Sequence, residues 1–270
     1  MRYEKIYKDS LLNNIKMKAL VTGASSGIGY EFAKVLAKNK YDIIIVSRNK
    51  EKLQKIKKEI EREHKIKVYV YKSDLSKLNE VKKFYYEVKN EDISVLINNA
   101  GVGDFGKFLD ISWEKDNEVI DINIKALTFL TKLFSEKMVE RGEGKILNVA
   151  SVAAFQPGPY LAVYSATKSY VLHFSEALAE ELKGTGVTVT TLCPGLTMSN
   201  FFKRSGISDD ELKAWGNLAT AKEVAEYGYE MMIKNKIIAV YGLRSRFSIF
   251  LKRFLPRNFV TKITGRLLKF

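Results

Sequence analysis

Tyr164 and Lys168 stand four residues apart in the run Tyr164-Ser165-Ala166-Thr167-Lys168, with Ser151 upstream. A phenol alone titrates near about 10 and exchanges protons poorly at neutral pH. A lysine one helical turn further on lies on the same face, and its positive charge favours the phenolate. The expectation is that Lys168 lowers the Tyr164 pKa, so that the pair can exchange a proton with a carbonyl or alcohol oxygen. A source of hydride is suggested near the chain's start, at Thr22-Gly23-Ala24-Ser25-Ser26-Gly27-Ile28-Gly29. Glycines at 23, 27 and 29 let the backbone turn sharply and come close to a ligand. A helix opening there offers free N–H groups and positive potential to a pyrophosphate. The spacing Gly-x-x-x-Gly-x-Gly differs from the commoner dinucleotide fingerprint, and a tight turn without a ligand is the alternative.

The next apolar run ends Val46-Ser47-Arg48-Asn49, without the carboxylate that a ribose 2′-hydroxyl would call for. Arg48 can fork onto a 2′-phosphate and Ser47 can add a hydrogen bond, which favours NADP(H). A solvated arginine at a helix start is the competing reading of Arg48.

These residues need a scaffold, and the chain alternates accordingly. Apolar, β-branched runs predict strands at about Lys18 to Thr22, Asp42 to Ser47, Lys67 to Lys72, Val95 to Asn98, Lys145 to Ala150, Val187 to Leu192 and Ile237 to Tyr241. Helical patterns fall between them at Gly27 to Asn39, Asn49 to His64, Leu78 to Asn90, Trp113 to Glu140 with breaks, Tyr160 to Lys183 and Ala221 to Asn235. Ile43-Ile44-Ile45-Val46 is apolar on both faces, which suits a parallel sheet covered on each side. The expected fold is α/β, a doubly wound parallel seven-stranded sheet with helices on both faces, the Rossmann fold. In such sheets ligands bind beyond the carboxyl ends of the strands, where the chemically informative residues fall.

The 270 residues carry 46% hydrophobic content and no linker-like stretch, so one catalytic domain is expected over residues 17–242. Residues 1–16 are expected to form an N-terminal extension and 243–270 a basic amphipathic C-terminal segment. Neither a secretory signal nor an apolar run of membrane-spanning length is evident. The single cysteine, Cys193, forms no intrachain disulfide, and a cytoplasmic setting is the expectation. His64 and His173 have no partners at ligand spacing, so no metal site is expected. Net charge is +14, yet no zinc-finger spacing or aromatic-basic motif accompanies it, so nucleic acid is not an expected partner.

Taken in order, Thr22-Gly23-x-x-x-Gly27-x-Gly29, Asp74-Leu75, Asn98-Asn99-Ala100-Gly101, Asn123, Ser151, Tyr164-x-x-x-Lys168 and Pro194-Gly195 resemble the short-chain dehydrogenases/reductases in their single-domain form. The resemblance runs from about Lys18 to Gly195 and more loosely to Gly242. It implies catalytic roles for Asn123, Ser151, Tyr164 and Lys168. Tyr164 would be the acid in reduction and the base in oxidation. Ser151 would hydrogen-bond the substrate oxygen, Lys168 would hold the nicotinamide ribose, and Asn123 would position a water. The implied cofactor set is Gly23, Ser25, Ser26, Gly27, Ile28, Gly29, Ser47, Arg48, Asp74, Leu75, Asn99, Ala100, Gly101, Tyr164, Lys168, Pro194, Gly195 and Thr197. Asp74 would meet the adenine amino group, and Asn99, Ala100 and Gly101 would pass beside the adenosine ribose. The family often continues Pro-Gly-x-Val-x-Thr, whereas this chain reads Pro194-Gly195-Leu196-Thr197-Met198-Ser199, which loosens the side-chain expectations there. A homodimer or homotetramer through the helices carrying Asn123 and Tyr164 is also implied.

Phe155, Gln156, Pro157, Tyr160, Leu161, the segment Leu196 to Phe202 and the stretch onward to Trp215 are expected to face an apolar carbonyl or alcohol substrate, with a lid near Ser199 to Asn217. From Gly242 to Phe270 there are eight Lys or Arg and no acid, with Phe247, Phe250, Leu251 and Phe254 at helical spacing. Such a segment suits a peripheral contact with an anionic membrane, or else an arm over the core or a subunit contact. The expected activity is hydride transfer between NADP(H) and a ketone or 3-oxoacyl-like group. A non-catalytic NADP(H)-binding regulator and a membrane-peripheral scaffold are the alternatives.

Overall fold

The computed structural model describes residues 17–198, 201 and 218–269. The expected N-terminal extension and nearly all of the expected lid lie outside these residues.

Seven parallel strands form the sheet: β1 (Lys18–Thr22), β2 (Asp42–Ser47), β3 (Val68–Lys72), β4 (Ile93–Asn98), β5 (Gly144–Val149), β6 (Val187–Cys193) and β7 (Ile238–Val240). Their order is β3-β2-β1-β4-β5-β6-β7, so strand addition reverses between β1 and β4 and leaves a crevice at their carboxyl ends. The register sets Thr22 beside Val46 and Val21 beside Ile97. All six residues of β2 are buried, as are all six of β4, because helices cover both faces.

On one face, α1 (Gly27–Lys38), α2 (Lys50–Glu63) and α7 (Ala221–Ile233) pack through Phe32, Leu36, Leu53, Ile60 and Met232. On the other, α3 (Leu78–Val88), α4 (Trp113–Ile120), α5 (Leu127–Arg141) and α6 (Ala162–Glu181) complete the sandwich, with Val81, Phe84, Leu130 and Phe134 in its core. The breaks expected in the Trp113 to Glu140 pattern resolve into one feature, a π-helical segment at Asp121–Ala126 that joins α4 to α5. Wider turns of this kind concentrate at functional sites because the extra residue re-aims a side chain.

A buried polar chain ties the layers beneath the crevice. The Asn98 amide donates to Thr131 and to Asn148, each at 2.9 Å, and the Asn148 amide donates to Ser175 at 2.9 Å. The Asn98 oxygen has no partner among the described residues, but the bonds that are made fix one arrangement, because breaking any of them would leave a further buried polar group unpaired.

The basic segment forms α8 (Leu243–Lys252) and α9 (Arg257–Leu267), divided at Pro256. Arg246 anchors α8 by donating to the Val240 carbonyl at 2.9 Å and to the Tyr227 hydroxyl at 2.6 Å. Lys252 donates to the Gln156 side chain, and a Cβ on Gly265 would lie 3.2 Å from Pro159, so the arm rests on the loop before α6.

Candidate active site

The crevice opens into a cavity of about 530 Å³. At one end is the turn after β1, where Gly23 and Gly27 take φ of +67° and +60°, a region that side-chain-bearing residues rarely enter. A Cβ on Gly23 would lie 2.8 Å from the Ala100 Cα, and one on Gly29 would lie 2.3 Å from the Asn99 Nδ2. The turn is therefore stitched to the end of β4. The Thr22 hydroxyl accepts from the Asn99 and Ala100 N–H groups at 3.0 Å, and the Asn99 amide donates to the Thr22 carbonyl at 3.0 Å. Ser26 caps α1 without a side-chain hydrogen bond, which leaves the first N–H groups of that helix for a ligand.

Gly23, Ser25, Ser26, Gly27, Ile28, Ser47, Arg48, Asp74, Leu75, Asn99, Ala100, Gly101, Pro194, Gly195 and Thr197 all line this cavity, together with Ser151, Tyr164 and Lys168. Two of the sequence-derived site residues do not. Gly29 lies behind the turn, where its missing side chain makes room for Asn99. Asn123 is 1% exposed and acts one layer back. Its amide oxygen accepts from the Val102 N–H at 3.0 Å, while its nitrogen donates to the Val102 carbonyl at 2.9 Å and to Thr167 at 3.0 Å. It thereby joins the π-helical segment, the loop after β4 and α6. Asn99 lines the cavity and its side chain also braces the glycine turn.

The reacting groups come from three elements. Ser151 follows β5 and caps a short 3-10 turn, its oxygen accepting from the Ala153 N–H at 3.1 Å. Tyr164 and Lys168 lie one turn apart in α6, as the spacing predicts. Ser151 and Tyr164 line the same cavity, and Ser151 acts to lower the pKa of the Tyr164 phenol. Part of the Tyr164 ring faces the cavity, but desolvation still pushes its pKa up to about 12, outweighing the lowering by Ser151. Desolvation brings Lys168 down to about 8, opposed by attraction to Cys193. The expected lowering of Tyr164 by Lys168 is thus corrected. The amine donates to the Val149 carbonyl at 2.8 Å and lies 5.7 Å from the phenol ring centroid, so burial of the hydroxyl prevails. Cys193 is buried with its thiol pushed up to about 12, a neutral packing residue rather than a nucleophile.

At the far end, Arg48 donates to Glu118 of α4 at 2.7 Å, so it is neither simply solvated nor free. Ser73 lies beside the cavity, and its hydroxyl is buried and has no hydrogen-bond partner among the described residues. A glycine cradle, an open helix end and an unsatisfied buried hydroxyl together fit a dinucleotide.

The match to known proteins agrees with this geometry. Residues 17–209 match the family model described as short chain dehydrogenase. The chain belongs to the short-chain dehydrogenase family. The chain is 36% identical over 180 residues to very-long-chain 3-oxoacyl-CoA reductase-B of Danio rerio, covering 65% of this chain and 58% of that one. It is 37% identical over 181 residues to inactive hydroxysteroid dehydrogenase-like protein 1 of Pongo abelii, covering 65% and 54%. The matches span a little over half the length of these relatives. Among solved structures, a short-chain dehydrogenase from Sphingobium yanoikuyae in complex with NADPH superposes with a TM-score of 0.80 at 26% identity, covering 88% of this chain and 93% of that one. The chain is accordingly a member of an oxidoreductase family.

Several contributors escaped the sequence reading. Thr167 lies inside the Tyr164 to Lys168 run, where its hydroxyl signals nothing until Asn123 is brought beside it. Glu118 gives no sign of pairing with Arg48 across 70 positions. Leu268, at the end of α9, reaches the cavity wall. Of the expected substrate residues, Gln156, Leu161, Leu196 and Phe201 line the cavity, whereas Tyr160 turns away to stack on Phe105 with ring centroids 6.1 Å apart. Phe202 to Trp215 lie outside the described residues.

Proposed function

We propose that the dehydrogenase is an NADPH-dependent reductase of an apolar ketone, with a 3-oxoacyl-like compound as the favoured class. The observation that carries this reading is the convergence of Ser151, Tyr164 and Lys168 on the wall of one cavity, with Lys168 one turn beyond Tyr164 along α6. Burial keeps the phenol protonated at neutral pH, so the proton that reduction would require is in place before the substrate binds.

Bound NADPH would supply a hydride to the carbonyl carbon. Ser151 and Tyr164 would hold the carbonyl oxygen, and the Tyr164 proton would pass to it as negative charge develops. Lys168, still largely cationic at neutral pH, would offer its amine to the nicotinamide ribose and stabilise the phenolate left behind. Asn123 would keep the surrounding loop and α6 in register. Arg48 supports NADPH over NADH because it can accept a 2′-phosphate on the cavity rim. Val102, Val152, Leu161, Leu196, Phe201 and Leu268 support an apolar substrate. The similarity to a 3-oxoacyl-CoA reductase points the same way.

In this reading residues 17–242 make the catalytic domain and the C-terminal arm supplies part of its wall. Self-association through α5 and α6 is also proposed, and the exposed Val139 and Tyr170 on those helices are available for it. Similarity to an inactive relative motivates a second reading, a non-catalytic NADP(H)-binding protein.

One experiment separates the two. NADPH oxidation is followed across 3-oxoacyl esters, steroid ketones, quinones and aldehydes for the wild type and Tyr164→Phe. The proposal expects turnover of at least one apolar carbonyl class and a loss of about 10²- to 10⁴-fold in the variant, with NADPH binding retained. Binding without turnover of any class selects the regulator.

A further inference from the structure

We infer that the outer face of α8 and α9, extended by the Phe108-Leu109 corner, docks on an anionic lipid bilayer. The inference goes beyond the proposed reaction and does not depend on it.

Packing of the arm uses only one stripe of each helix. In α9, Val260 and Thr264 are buried, and the following Leu268 lines the catalytic cavity. These residues recur at intervals of four and face the protein. A second stripe, Phe259, Ile263 and Leu267, also recurs at intervals of four yet is exposed, Leu267 at 70%. In α8 and the turn after it, Ser245, Ile249 and Lys252 are half-buried, while Phe247, Phe250, Leu251 and Phe254 are exposed, Phe254 at 71%. Folding of the arm accounts for the inward stripes. It leaves the outward aromatic and aliphatic side chains in water, at a cost that a surface of matching chemistry would relieve.

The charge on the same segment identifies that surface. Residues 242–270 carry eight Lys or Arg and no acid, more than half of the net +14. Apolar side chains interspersed with long cations suit the boundary between acyl chains and anionic headgroups, where the chains insert and the amines reach outward. A second copy of this chain fits less well, because a self-complementary contact would set two acid-free cationic arms against each other. The patch also continues past the arm. Phe108, 60% exposed, shares a groove with Pro159, Tyr160, Lys262 and Arg266, and the neighbouring Leu109 is 91% exposed. The docking face thus adjoins the loop on which the cavity is built. A bilayer-dissolved substrate would have a short path past Leu268.

The test is co-sedimentation of the full chain with phosphatidylcholine vesicles, with and without phosphatidylserine, at low and high salt. Pelleting with the phosphatidylserine vesicles and release by salt are expected. A triple variant, Phe247→Ser, Phe254→Ser and Leu267→Ser, is expected to lose about tenfold in vesicle affinity, because each side chain contributes apolar area alone. NADPH binding by the variant reports that it is folded, and Arg253→Glu with Arg257→Glu gives an independent loss through charge. Absence of wild-type binding to anionic vesicles overturns the inference, as does undiminished binding by both variants. Dissociation of an oligomer by the triple variant, without vesicle binding by the wild type, assigns the face to a second copy and overturns it equally. Vesicle binding is read without turnover, so its failure is distinct from failure of the proposed reaction.

Discussion

Arg48 Nη1 donates to Glu118 Oε1 at 2.7 Å, joining the loop after β2 to α4 on the rim of the cavity. Both side chains are more than a third exposed, so the ion pair contributes at most about 1 kcal/mol. A 2′-phosphate would compete with Glu118 for the same guanidinium. Glu118→Gln is therefore expected to tighten NADPH binding by up to about fivefold and to leave NADH nearly unchanged. Arg48→Asp is expected to weaken NADPH selectively. Fluorescence titration with both dinucleotides checks the pair, and an unaltered NADPH-to-NADH ratio in Arg48→Asp sinks the NADP(H) assignment.

Gly29 is expected to tolerate no side chain, although it does not line the cavity. A Cβ there would lie 2.3 Å from the Asn99 amide, which is itself held by the Thr22 carbonyl, and 2.6 Å from the Gly23 carbonyl. Neither neighbour can retreat without moving the turn. Gly29→Ala should cost about 1–3 kcal/mol of stability and weaken NADPH binding at least about tenfold. Gly184 provides the control, since its φ of +81° is accompanied by open space. Gly184→Ala should cost about 1 kcal/mol through backbone strain alone and leave cofactor affinity unchanged. Denaturant unfolding and cofactor titration of both variants make the comparison.

Lys145 gives the fold a pH dependence that has nothing to do with turnover. It is 1% exposed in β5, donates to Asn235 at 2.5 Å, and is brought down to about 8 by burial. The folded state releases this proton near pH 8, whereas the unfolded chain keeps it to about 10.5. The unfolded state therefore binds more protons between those values, and stability rises with pH across that window. Lys168, also brought down to about 8, adds a slope of the same sign. Urea unfolding at pH 7.5 and 9.5 should show a gain on the order of 1 kcal/mol from Lys145. Lys145→Met should remove that share and leave the share of Lys168. An unchanged slope would falsify the assignment to Lys145.

Local pattern carried much of the architecture. The strands expected at Lys18 to Thr22 and Asp42 to Ser47 have those same ends in the structure, because apolar β-branched runs bounded by polar turns leave few other solutions. The stretch from Trp113 to Glu140 was harder. Its helical periodicity persists through Asp121–Ala126, and the wider turn there accompanies Asn123 clamping the Val102 backbone 21 positions away. No local signal encodes that clamp. The tail was legible as amphipathic, but the division of its apolar residues into an inward and an outward stripe depends on where the arm lands.

By itself the sequence determined the alternation of strands and helices, the glycine turn after the first strand, and the placing of Tyr164 one turn before Lys168. Each of these follows from steric and hydrophobic rules acting over a few neighbouring residues. Tertiary structure alone decided the rest. It turned the Lys168 amine to the Val149 carbonyl, set burial above charge in the titration of Tyr164, paired Arg48 with Glu118 and brought Leu268 to the cavity. Desolvation and long-range pairing depend on which atoms surround a group in space, and that environment exists only once the sheet and its covering helices have closed around it.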